Sequence, residues 1–248
     1  MLLLKRQDND FKDVMDNKKI QLFLLPFAGG NSGSFKHMTE LLDEHIEAVS
    51  VEYAGRLGRH KEGYITDYGG FLEDTASYIC GRRSGLPIAV LGYSLGSVLA
   101  FDLITKGKIG GDLKHCFICA RGDLRDESVS QRYHELSDDE FVKRMIELGG
   151  FDRRILGNQR FLKIYMEPVR RDYMVWSQYK YRESGKKISC DTTVMYSPKD
   201  PLAVNAYGWR DLTEGNVDFY ELGDNHFFIH QYYREMAEIV NRHLEKYL

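Results

Sequence analysis

The sequence predicts an α/β fold: a mostly parallel central sheet flanked by helices, with one helical insertion. Three observations carry this. Short apolar runs alternate with segments of helical periodicity along most of the 248 residues, as when parallel strands are joined by crossover helices. Residues 121–189 break that rhythm and hold no convincing strand. A Gly-x-Ser-x-Gly pentapeptide, Gly92-Tyr93-Ser94-Leu95-Gly96, stands where an apolar run passes into a helical pattern.

The elements follow in order. Residues 1–19 are polar and weakly patterned, suited to an arm or a short helix. The run Ile20 to Leu25 is a strand ended by Pro26, and Phe27 to Gly33 is a glycine-rich loop. Ser34 is placed to cap a helix running to about Asp43. Residues 46–53 form the second strand, followed by a basic, glycine-punctuated loop with Arg56 and Arg59. Phe71, Leu72, Ala76 and Ile79 recur at helical spacing within a helix over 67–82. The strand at 86–91, the pentapeptide and a helix to about Lys106 come next, then strands at 115–120, 190–196 and 217–222 and a last helix over 230–246. Inside the insertion, helices are expected at 137–149, 158–166 and 168–180. The first begins with Ser137 as N-cap and Glu140 three residues on. An insertion this long is suited to cover a site as a lid, or to decorate the periphery. One domain over 1–248 with this insertion accounts for the length.

Composition narrows the function. The net charge is −3 and Lys and Arg are dispersed, so neither nucleic acid nor an anionic membrane is expected as a partner. No apolar run reaches membrane-spanning length, and the N-terminus lacks the order of a signal peptide, which leads us to expect a cytoplasmic protein. No long heptad pattern appears, so a monomer is expected. Cys116 and Cys119 have C-x-x-C spacing but lie in one expected strand, where their side chains point to opposite faces. A shared metal is therefore not expected.

The pentapeptide carries the chemistry. A serine between glycines on a strand-to-helix turn has the context of a nucleophile elbow, and the small residues let strand and helix approach closely. A serine hydroxyl needs a base, and the base needs an orienting carboxylate. In a chain order of serine, acid, histidine, the base is His226, just beyond the last strand; His230 and His243 are alternatives in the final helix. The acid is Asp200, in the loop after the preceding strand and between Pro198 and Pro201; Asp224 is its rival. An oxyanion hole would use the backbone N–H of Leu95 and that of Phe27 or Ala28, since Pro26 has none. Arg56 and Arg59 would suit a phosphate handle or salt bridges within the fold. Met166, Tyr173, Met174 and Trp176 are candidates for lining an acyl pocket, or for packing within the lid.

These blocks together resemble the external, or type II, thioesterases that accompany non-ribosomal peptide and polyketide synthetases, members of the α/β-hydrolase superfamily. Leu25-Pro26-Phe27-Ala28-Gly29-Gly30 followed by Ser34-Phe35 is similar to their N-terminal signature. Tyr53-Ala54-Gly55-Arg56-Leu57-Gly58-Arg59 is similar to Tyr-Pro-Gly-Arg-x-x-Arg, with Ala54 for the proline. The pentapeptide with Ser97, Leu136 to Phe141, Leu148-Gly149-Gly150, Glu167 to Tyr173, Asp200-Pro201-Leu202, Trp209 and His226-Phe227-Phe228 complete the resemblance, which spans about residues 20–245. Tyr93 stands where a histidine is common. Asn225 stands where a glycine is frequent, which points to an unusual backbone angle there.

The resemblance implies a serine thioesterase with the triad Ser94, Asp200 and His226 and no metal or soluble cofactor. It implies acyl or aminoacyl thioesters on the phosphopantetheine arm of a carrier domain as substrate, and editing of blocked synthetases as the role. The same triad would serve a carboxylesterase or a fatty-acyl thioesterase acting on free or coenzyme A-linked substrates. A non-catalytic docking protein is the alternative from another class.

Overall fold

The apolar runs pair as strands β1 (Ile20–Leu25), β2 (Ile46–Ser50), β3 (Ile88–Tyr93), β4 (Leu113–Cys119), β5 (Asp191–Tyr196) and β6 (Val217–Glu221). The structure is a computed structural model that describes residues 17–126, 132–150 and 159–248. The strands form one sheet in the order β2-β1-β3-β4-β5-β6, with every neighbouring pair parallel. Most of the arm expected at 1–19, and residues 127–131 and 151–158 of the insertion, lie outside the described residues.

Alternation along the strands sorts side chains into two cores. Ile20, Leu22 and Leu24 join Ala89, Leu91, Phe117 and Cys119 on one face. That face is covered by Phe35 and Met38, from a 3₁₀ turn at Ser32–Phe35 and the one-turn helix α1 (Lys36–Thr39), and by helix α6 (Tyr233–Leu244). Phe23, Leu25, Val90, Cys116, Ile118 and Val194 face the other way, beneath α2 (Tyr68–Cys80) and α3 (Leu95–Thr105). Cys116 and Cys119 thus end in separate cores, as period-two geometry requires. Within α2 the apolar residues Phe71, Leu72, Ala76 and Ile79 are buried, and Asp67 caps its start by accepting the Gly70 N–H.

Among the described residues, two α-helices lie between β4 and β5: α4 (Asp138–Glu147) and α5 (Gln159–Trp176), preceded by a 3₁₀ turn at Arg132–Glu135. The Ser137 and Glu140 capping box forms as expected. Besides shifts of a few residues at element ends, such as β2 stopping at Ser50, the structure departs from expectation in three places. The helix expected from Ser34 to Asp43 is a 3₁₀ turn and the single turn α1. Its N-cap is Asn31, while Ser34 supplies the reciprocal bond by accepting the Asn31 N–H. The two helices expected on either side of residue 167 are one, with Pro168 inside α5. Proline removes one helical N–H at a cost of about 3 kcal/mol. The buried row of Met166, Val169, Tyr173 and Trp176 on the same helix holds it together. Asn225 is absent from the residues with positive φ: its side-chain oxygen accepts the Phe227 N–H, an Asx turn that needs no left-handed backbone.

Strand order positions the site. The chain moves outward from β1 to β2, then returns to place β3 on the other side of β1, so the loops leaving β1 and β3 diverge at a switch point. Leu25 and Gly92 are register partners there, which sets the 26–30 loop beside the pentapeptide. From β3 onward the strands are laid down in sequence, so the loops after β4, β5 and β6 line up along the same carboxyl edge.

Candidate active site

Ser94 sits between β3 and α3 at φ +54°, ψ −109°, outside the regions a non-glycine residue prefers. Such strain costs about 1–3 kcal/mol and persists only when the surroundings over-determine it. Here they do. A Cβ on Gly96 would stand 2.0 Å from the Leu25 carbonyl oxygen, and one on Gly92 would stand 2.3 Å from the Gly96 carbonyl oxygen. The Ser94 N–H donates to the Cys119 carbonyl (2.8 Å), and the Ser97 hydroxyl lies within reach of the Gly92 and Cys119 carbonyls (2.8 and 2.9 Å). Close approach of β1, β3, β4 and α3 thus holds the serine on its turn.

His226 follows β6 and Asp200 follows β5. His226 Nε2 is 3.0 Å from Ser94 Oγ, and its Nδ1 is 2.6 Å from Asp200 Oδ2. The other carboxylate oxygen, Oδ1, accepts the Leu202 N–H at 2.8 Å. All three side chains are buried. Of the alternatives, Asp224 is exposed and among the described residues its side chain hydrogen-bonds only its neighbour Asn225, His230 lies on a 3₁₀ turn beside Phe227, and His243 lies on α6 against Tyr220. The Tyr93 hydroxyl donates to the His226 carbonyl (2.7 Å) and accepts the Ile229 N–H (3.3 Å), which braces the histidine loop. Burial raises the Tyr93 pKa well above the ordinary phenol value and keeps the hydroxyl a donor.

Leu95 opens α3, where a backbone N–H has no partner within its own helix. In the 26–30 loop the Gly30 N–H donates to the Phe27 carbonyl (2.8 Å) and the Gly29 N–H donates to Asp172 Oδ2 (2.7 Å). Both are committed, which leaves Phe27 and Ala28 as the donors that loop can offer. A cavity of about 510 Å³ opens beside them. Its walls include Phe27, Ala28, Tyr64, Met145, Val169 and Phe227.

The other residues singled out from sequence fall differently. Arg59 pairs with Glu62 (2.5 Å) and Asp74 (2.7 Å), and these hydrogen bonds hold its pKa above the ordinary arginine range. Arg56 borders the cavity but is buried and paired with Asp172. Both arginines make ion pairs within the fold. Met166, Tyr173 and Trp176 are buried and Met174 is half-buried, and none of the four borders the cavity. Tyr173 packs among Tyr133, Phe141 and Trp176, with ring centroids 5.3–6.0 Å away. Helix α5 meets the cavity through Ile164, Tyr165, Pro168 and Val169 instead.

Two buried residues near the site carry no individual mark in the sequence. Asp172 stands there only as part of a block, with no sign of the Gly29 and Arg56 contacts more than a hundred residues away. Burial pulls its carboxyl pKa upward, against Arg56 and the Gly29 N–H, which favour the charged form. Arg121, just past β4, lies 1% exposed with its guanidinium 4.7 Å from the Trp176 ring, and burial lowers its pKa to about 10. Among the described residues, no group of three or more His, Cys, Asp or Glu is arranged to hold a metal, and no helix is long and apolar enough to cross a membrane.

With that geometry in place, comparison with known families is direct: residues 20–248 match the family described as the thioesterase domain. The chain belongs to the thioesterase family. PikA5 of Streptomyces venezuelae, a thioesterase, is 27% identical to this family member and covers 92% of this chain and 82% of its own. LgrE of Brevibacillus parabrevis, named a linear gramicidin dehydrogenase, is 26% identical over 93% of this chain and 89% of its own. Among solved structures, the type II thioesterase BorB from the borrelidin biosynthetic cluster superposes with a TM-score of 0.80 at 25% identity, covering 91% of this chain and 93% of BorB. The fold of this thioesterase-family chain is that of the α/β hydrolases, with the six-stranded parallel sheet at its centre.

Proposed function

We propose that this chain hydrolyses acyl or aminoacyl thioesters held on the phosphopantetheine arm of carrier domains, and so clears stalled or misprimed synthetases. The observation that carries the reading is the continuous hydrogen-bonded line from Asp200 through His226 to Ser94 in a member of the thioesterase family. His226 takes the Ser94 proton as the hydroxyl oxygen attacks the thioester carbonyl. The N–H groups of Leu95 and of Phe27 or Ala28 hold the oxyanion. The tetrahedral intermediate collapses and the pantetheine thiol leaves with the proton from His226. Water, deprotonated by His226, then attacks the acyl-serine, and as the second tetrahedral intermediate collapses His226 returns the proton to Ser94 and the acid is released. Asp200 orients the imidazole and stabilises its charged form. Helices α4 and α5 act as a lid: Gly149 and Gly150, just past α4, pack against Asn225 and Phe227 on either side of His226.

A dehydrogenase reading, which the name of LgrE would suggest, has no support here. The loop Gly29-Gly30-Asn31-Ser32-Gly33 lacks the Gly-x-Gly-x-x-Gly spacing of a dinucleotide site. The experiment is hydrolysis of acetyl and longer acyl groups from a phosphopantetheinylated carrier protein, with the same groups on coenzyme A beside it and Ser94→Ala as control. Carrier-selective turnover that disappears in the variant is expected. Ser94-dependent turnover indifferent to the carrier would make the chain a general esterase or acyl-CoA thioesterase.

A further inference from the structure

Gly29 is held from one side by the lid helix. Its N–H donates to Asp172 Oδ2 at 2.7 Å, and it has φ +80°, a backbone angle that favours glycine. Val169, one turn before Asp172 on α5, fills the space where a side chain would start: a Cβ on Gly29 would stand 2.3 Å from Val169 Cγ2. The second oxygen of Asp172 takes Arg56, from the loop after β2. Arg56 and Asp172 are 5% and 2% exposed, and the remaining Nε and Nη1 of Arg56 are buried without a hydrogen-bond partner among the described residues, so Asp172 is the carboxylate there on which this cation depends. One lid carboxylate therefore ties together α5, the loop after β1 and the loop after β2.

The bound N–H belongs to the peptide that joins Ala28 to Gly29, and Ala28 is one of the two donors left for the oxyanion. Fixing that peptide plane fixes the backbone on which the Ala28 N–H sits, and the Gly30 to Phe27 bond closes the turn on the other side. A buried ion pair is a weak source of net stability but can specify one arrangement over others. We propose that Asp172 is a positioning residue that couples seating of the lid helix to the oxyanion hole, so that the 27–30 loop takes its working shape when α5 is docked. The inference rests on the serine-hydrolase reading above.

The test uses the full chain and a small p-nitrophenyl ester, which needs Ser94 and the oxyanion hole but no carrier. Asp172→Asn keeps the shape and loses the charge, so it cannot hold both Gly29 and Arg56. We expect kcat to fall about 10–100-fold with KM within about twofold, the penalty of a misplaced donor. Affinity for a trifluoromethyl ketone, which forms a tetrahedral adduct with Ser94, should fall by the same factor as kcat/KM. The double variant Arg56→Met with Asp172→Leu leaves no unpaired charge. It should recover thermal stability yet stay slow, because Gly29 still lacks its acceptor, and it carries the test if Asp172→Asn does not fold. Parental kcat and inhibitor affinity in the folded variants would overturn the coupling, as would recovery of rate together with stability in the double variant. Absence of Ser94-dependent turnover in the parent chain would remove the hydrolase reading and the coupling with it.

Discussion

Ser94, His226 and Asp200 make a short polar line inside an apolar region, and the proposed mechanism gives each a separable role. Ser94→Ala should lower ester or thioester turnover by at least about 10³-fold with the fold intact, checked by activity beside circular dichroism. Asp200→Asn should lower kcat by about 10⁴-fold, since an amide favours the wrong imidazole tautomer. Tyr93→Phe leaves the His226 carbonyl and the Ile229 N–H without their buried partner. It should destabilise by about 1–3 kcal/mol, measured by denaturant unfolding, and reduce kcat more than it raises KM. The serine, the acid and the histidine were legible because each follows a short strand rich in apolar, aromatic or β-branched residues. Asp172 and Arg121 were not, because a buried carboxylate or guanidinium is marked by neighbours that only folding supplies.

The turn from β3 into α3 is tightly constrained. Its two glycines admit no side chain, because backbone atoms of β1 and of the helix itself occupy the space. Gly96→Ala should therefore destabilise at or above the upper end of the usual 1–3 kcal/mol for overpacking, or prevent folding, read as loss of soluble protein or a large fall in Tm. By contrast α5 shows a local rule overridden. Proline argues for a break at 168, yet the buried row from Met166 to Trp176 carries the helix through it. Periodicity placed the strands and most helices well because burial of one face enforces it. The one-turn α1 fell short of its expected length because the chain turns after Thr39, and nothing local to Ser34 foretells that.

Far from the site, at the opposite end of the sheet, His115 near the start of β4 is buried against Phe117 and His243, with Nε2 2.8 Å from the Thr193 hydroxyl. Burial, with smaller contributions from His243 and Lys246, lowers its pKa to about 3. The folded protein therefore holds His115 neutral while the unfolded chain protonates it near the ordinary value of about 6.5. A depressed histidine pKa contributes stability that is present above about pH 6.5 and is lost as pH falls toward 3. Between those limits it adds a slope of about 1.4 kcal/mol per pH unit. His115→Gln should remove about one proton's worth of that slope between pH 6 and pH 4, seen by chemical denaturation at several pH values. An unchanged slope would place the acid sensitivity in other groups.

Local patterns determined the α/β class, the parallel strands, the elbow serine and its two partners, because strand alternation, helical spacing and turn chemistry are written in neighbouring residues. Tertiary structure alone brought Arg56 to Asp172 and Arg59 to Asp74, carried α5 unbroken past Pro168, and decided which of its side chains meet the cavity. It alone brought Asp172 to Gly29. Those outcomes depend on contacts between segments far apart in the chain, where the energy of burying or pairing a group is set by what arrives beside it.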